Sequence, residues 1–164
     1  MSNRLGIILS KKTSNEVLDE IRKKYGFDLQ LVNNPTIYSS LDDDEMFMNL
    51  HVYGEDTGIT RYEYYLGHYK NMEELIEAGG FYNYYQAIND INERWLLDAH
   101  RWTEIVSDLK YGYRISKVGL MNFFVSELVE DLAFDKKAKE DVDISTMNAV
   151  TLMKFKCEKI YMFV

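Results

Sequence analysis

The chain has one cysteine, Cys157, one proline, Pro35, and only nine glycines in 164 residues. A lone cysteine excludes a disulfide framework and the usual cysteine-based four-ligand zinc site. So little proline and glycine, beside 14% aromatic residues, excludes a linker or low-complexity chain. No apolar run approaches the roughly 20 residues of a bilayer-spanning helix. The apolar stretch near the N-terminus, Leu5 to Leu9, is too short for a secretory leader and has no small-residue cleavage site after it, so the expected compartment is the cytoplasm. Phosphate-binding loops are missing as well. Gly79-Gly80 and Gly112 are isolated, and no Gly-x-Gly-x-x-Gly or P-loop pattern occurs. Ser10, Ser14, Ser39 and Ser40 have no nucleophile-elbow context.

What is present is the mix of one globular domain, residues 1–164, with 46% hydrophobic and 28% charged residues. The formal net charge is -8. That disfavours binding to nucleic-acid phosphates and to anionic membranes, because both depend on an excess of Lys and Arg. The distribution of charge is more informative than its total. Tyr38 to Leu109 holds 15 acids against 4 bases, a net of -11, and the rest of the chain is net +3. The same stretch carries 9 of the 13 tyrosines and both tryptophans, Trp95 and Trp102.

Periodicity predicts strand, helix, strand at the start: Leu5–Leu9, a helix capped by Thr13 with Glu16 closing a capping box and Gly26 ending it, then Phe27–Val32. Asn33-Asn34-Pro35 reads as a turn and Asp42–Glu45 as a solvated loop or strand entry. Met46 to Tyr53 alternates with a period of two, Gly54–Gly58 reads as a hairpin loop, and Ile59–Leu66 returns as its partner strand. A short helix follows, capped by Asn71. A long helix over about 82–109 carries the stripe Tyr84, Ile88, Ile91, Trp95, Trp102, Ile105 and Leu109, broken by Tyr111-Gly112-Tyr113. Ser116–Leu132 reads as a further amphipathic helix, Asp135–Asp143 as a loop or exposed turn, and Ala149–Val164 as a strand. The pattern predicts an α+β fold: four or five mainly antiparallel strands with two long helices packed on one face.

Sites of chemistry are few. His51, His68 and His100 belong to no metalloprotease or triad spacing and read as structural or solvent-facing. Glu93, His100 and Glu104, with Asp90, share a helical face that could hold a divalent ion if a second helix supplied ligands. No Glu-x-x-His element supports this, and Arg94 and Arg101 balance the face as a solvated one. Asp42-Asp43-Asp44-Glu45 lacks the ligand spacing of an EF-hand loop. Mutual repulsion makes it an exposed loop or a segment that meets a basic partner. Cys157, between Lys156 and Glu158 in an expected strand, reads as a small buried residue. No catalytic residue, metal site or cofactor is therefore assigned.

The co-localised acids and tyrosines point instead to a contact surface. Opposite charge steers an encounter, and buried Tyr or Trp anchors hold it. The expected patch comprises Asp42, Asp43, Asp44, Glu55 and Asp56, meeting Lys and Arg of a basic protein, around Tyr53, Tyr62, Tyr64 and Tyr65. In general character the chain is similar to bacterial immunity proteins of toxin systems and to phage-encoded inhibitors of nucleic-acid enzymes, which are small, acidic and without catalytic motifs. The similarity implies a cytoplasmic neutraliser of a basic partner, such as a toxin nuclease domain. Two alternatives remain: an enzyme that assembles a site from His51, His68 or the Glu93/His100/Glu104 face, and a self-associating structural or adaptor protein whose long helix pairs through its tryptophans.

Overall fold

The computed structural model describes residues 2–51, 100–125, 138–148, 151–152, 155 and 158–164. The fold is α+β. Its centre is a mixed six-stranded sheet in the order β2-β3-β1-β4-β6-β5. The strands are β1 (Ser2–Ser10), β2 (Asp28–Leu31), β3 (Glu45–His51), β4 (Val118–Val125), β5 (Lys139–Val142) and β6 (Ile160–Phe163). All neighbours are antiparallel except β5 and β6, which run parallel with Lys139 opposite Ile160.

β1 lies between β3 and β4, and both its faces are covered as well. Leu5, Ile7 and Leu9 join one apolar cluster and Ile8 joins the other. Gly6 is where the second face closes. A Cβ built there would collide with the Phe47 ring, which packs against Phe123 at 5.9 Å. β3 alternates as its period of two requires, with Met46, Met48 and Leu50 on the first face and Phe47 on the second.

Helix α1 (Asn15–Tyr25) covers the first face with Leu18 and Ile21. Its N-cap is Ser14, one residue later than the expected Thr13, and the Ser14 Oγ accepts from the Val17 N–H at 3.2 Å. Gly26 ends it in the left-handed conformation at φ 69°, as a C-capping glycine does. Residues 100–107 form a helix that buries Trp102, Ile105 and Val106 on the same face and passes into a π-helical turn at Asp108–Gly112. Side chains join these helices, among them the Arg101 guanidinium, which donates to the Tyr25 carbonyl at 2.6 Å. Phe27 stacks between Tyr25 and Trp102 at 5.8 and 5.7 Å, and Asp108 receives both the Tyr25 hydroxyl and, at 2.7 Å, the Lys24 ammonium. Burial of the Tyr25 ring and its bond to Asp108 hold the phenol well above its usual titration range. A short helix, α2 (Pro35–Tyr38), covers the opposite face with Ile37.

Several expectations change. The helix read over Ser116–Leu132 is instead strand β4 as far as Val125. Val118 and Leu120 are buried on one face, Met121 and Phe123 on the other, and an apolar run covered on both sides has no periodicity to separate strand from helix. Part of the stretch read as a loop, Asp135–Asp143, is strand β5, stabilised by its ladder with β6 rather than by local apolar pattern. Within the expected C-terminal strand, residues 151–152 are helical and only Ile160–Phe163 is strand. The sheet has six strands, more than expected, and one pair is parallel. The hairpin partner Ile59–Leu66, the Asn71 helix, most of the long helix and Cys157 lie outside the described residues. Among the described residues no helix is long and apolar enough to cross a membrane.

Candidate functional site: an acidic turn beside an apolar cavity

The turn before β3 is built from its own carboxylates. The Glu45 side chain accepts from the Asp42 N–H at 2.7 Å, and the Asp42 carbonyl accepts from the Glu45 N–H at 3.0 Å. Glu45 is 1% exposed. A carboxylate so buried requires a counter-charge, and two lysines supply it from distant strands. Lys139 of β5 lies 2.6 Å from Glu45 and 3.4 Å from Asp42. Lys117, just before β4, lies 2.9 Å from Asp42, 2.8 Å from Asp44 and 3.7 Å from Glu45.

This pairing sets the titration of the turn. The hydrogen bond from Lys117 and the charge of Lys139 hold the Asp42 carboxyl below the usual carboxylate value, and the Lys117 bond does the same for Asp44. The two aspartates in turn hold the Lys117 ammonium above its usual value. Asp43 is exposed and makes no ion pair among the described residues. Four carboxylates against two ammonium groups leave the turn net negative.

The turn borders a cavity of about 570 Å³ lined by Lys11, Leu31, Asn33, Pro35, Tyr38 and Met46. The Lys11 N–H donates to the Asp44 carbonyl at 2.8 Å, and Met46 follows Glu45 directly, so turn and cavity share a wall. α2 positions the tyrosine. Asn34 caps it through Oδ1, which accepts from the Thr36 N–H at 3.0 Å, and Pro35 stands in the first turn, where its missing N–H costs nothing. The Tyr38 hydroxyl then accepts from the Phe47 N–H at 3.2 Å, while the Lys11 ammonium stands 5.9 Å from the centre of the Tyr38 ring. Leu31, at the end of edge strand β2, is 50% exposed at the rim. Upstream on the same edge, the Leu29 carbonyl is occupied by the Arg22 guanidinium at 2.5 Å.

Of the expected patch, Asp42, Asp43 and Asp44 are brought together in the turn. Glu55, Asp56, Tyr53, Tyr62, Tyr64 and Tyr65 lie outside the described residues. The four-residue acid run is also less outward-facing than expected: Glu45 is interior, and Asp42 and Asp44 are tied to lysines, because a buried carboxylate recruits cations that also reach its neighbours. His51 ends β3 opposite Asp28, and His100 and Glu104 are exposed on one helix and do not line this cavity. His68 and Glu93 are outside the described residues. Trp102 is 6% exposed and committed to the core, so it is not available for pairing with a second copy.

The sequence reading missed the cavity altogether. Its lining comes from the β1–α1 junction, the end of β2, α2 and the start of β3, and the only local signal was the turn at Asn33-Asn34-Pro35. Compared with family models, with curated proteins and with solved structures, the chain matches none.

Proposed function

We propose that this chain is an acidic binding protein that docks on a basic protein and blocks it, in the manner of an immunity protein or a phage-type inhibitor. One observation carries the reading: an apolar cavity with a half-exposed leucine at its rim shares a wall with a turn that stays net negative after its lysine pairs are counted. A partner's apolar side chain would enter between Leu31, Pro35, Tyr38 and Met46, and its Lys or Arg would meet Asp43 and the second carboxylate oxygen of Asp44. The cavity supplies desolvated contact, which slows dissociation, and the carboxylates steer approach. The net charge of -8, and of -11 over Tyr38–Leu109, supports the same choice of partner.

The experiment is calorimetric titration of the chain with a purified basic nuclease-type toxin domain at rising salt. Affinity falls as salt rises, Asp43→Lys weakens binding about tenfold, and Leu31→Asp weakens it at least as much. Binding indifferent to salt and to Asp43→Lys removes the electrostatic half of the reading. Unchanged affinity for Leu31→Asp removes the cavity.

A further inference from the structure

A second cavity, of about 310 Å³, opens where the β1–α1 junction meets the segment after the π-helical turn. Two cations line it, Lys12 and Arg114, and no carboxylate does. Neither forms an ion pair among the described residues. A third cation, Lys110, donates to the carbonyl of Ser116 on the same wall at 2.9 Å. This is an unusual concentration of unpaired positive charge in a chain with a net charge of -8, and it lies beside Lys117, which the acidic turn has neutralised.

The uncharged groups have the same polarity. Ser10 is 3% exposed, and its Oγ accepts from the Lys12 N–H at 3.3 Å, so among the described residues its hydroxyl proton has no acceptor. Thr13 Oγ1 is shielded from solvent and makes no hydrogen bond among the described residues. A buried hydroxyl without a partner carries a desolvation cost that a ligand acceptor would relieve. Ser14 on the same wall is the N-cap of α1, so the positive end of that helix adds to the field. Glu16, in the first turn, does not line the cavity.

The geometry points to a binding site for a small phosphorylated molecule, its phosphate held by Lys12 and Arg114, with Ser10 and Thr13 on the same wall. A phosphate ester presents several acceptor oxygens and close to two charges, which matches a lining of donors better than a single carboxylate does. The volume is at the small end of ligand pockets, and the chain's net charge repels a polyanion, which favours a metabolite over a nucleic acid. The two cavities share no lining residue, so this site does not rest on the docking surface.

The test is a titration of the full chain with inorganic phosphate and with glycerol 3-phosphate at constant ionic strength, followed by amide NMR shifts. Saturable shifts are expected at Lys12–Glu16 and Arg114–Lys117, with affinity about tenfold weaker in Lys12→Ala and in Arg114→Gly. Arg114 sits at φ 55°, a conformation glycine adopts freely, so Arg114→Gly keeps the test readable if Lys12→Ala fails to fold. No saturable shift, equal shifts from chloride, or equal affinity in the variants overturns the site. Tighter binding of a short oligonucleotide than of glycerol 3-phosphate overturns the choice of a small molecule.

Discussion

Lys11 and Lys12 are consecutive, yet they line two cavities of opposite character. Beside Lys11, an acidic turn has drawn in Lys117 and Lys139 to neutralise a buried glutamate. Beside Lys12, the residues Arg114, Ser10 and Thr13 line a cavity with no carboxylate on its wall. The difference lies in what is buried. Glu45 is interior and must be paired, so the two lysines nearest it are already engaged. Lys12 and Arg114 are exposed, so water alone can satisfy them and no internal partner is required. A charge cluster around a buried ion is structural first, whereas unpaired charges around a cavity remain available to a ligand.

This contrast predicts a large asymmetry in stability. Glu45→Ala removes the ion that organises the turn and costs about 2 kcal/mol, less than a fully buried pair because both lysines regain water. Lys12→Ala costs under about 0.5 kcal/mol, as exposed substitutions do. Urea unfolding of the two variants measures both, and equal losses would break the comparison.

Acid is the next lever. Lowered folded-state values for Asp42 and Asp44 mean that the turn adds stability in full above the unfolded value of 3.8 and loses it as the pH falls through the folded values. The double variant Asp42→Asn/Asp44→Asn therefore loses less stability than the parent between about pH 5 and pH 2. Lys117 has the opposite sign. Its raised value adds stability below 10.5 that is lost only as the pH rises through the higher folded value. An acid profile unchanged in the double variant would place the proton uptake elsewhere.

The smallest effect belongs to the cation-lined cavity. Arg114→Gly relieves a left-handed backbone and is expected to be neutral or to stabilise by about 0.5 kcal/mol, even as it weakens phosphate binding. Thermal melts with and without inorganic phosphate separate the two effects. A shift in melting temperature on adding phosphate that is the same in both proteins would remove Arg114 from the site.

Much of the fold was legible where local patterns agreed with their tertiary use. β1, α1 with its stop at Gly26, β3 and the buried stripe Trp102, Ile105 and Leu109 all followed from periodicity and capping. β4 was not legible, because a strand covered on both faces is apolar at nearly every position, here all but Gly119 and Asn122, and looks like a helix segment. β5 was not legible because Lys139-Glu140-Asp141-Val142 is mostly polar and is held by its ladder with β6. Of the candidate surface, the acid run stood out, but the lysines that divide it lie 73 to 94 residues away. Of the larger cavity only the turn at Asn33-Asn34-Pro35 showed locally, and the smaller left no local signature, since it joins Ser10–Val17 to Tyr113–Ser116 from far along the chain.

The amino-acid sequence alone determined the α+β class, the excess of acid and its crowding into one stretch, because those are properties of composition and of short-range order. Which carboxylate is buried, which lysines answer it and which cations are left facing a cavity were decided only when six strands from across the chain came into register. Coulombic pairing depends on separation in space, and separation in space is a product of the fold.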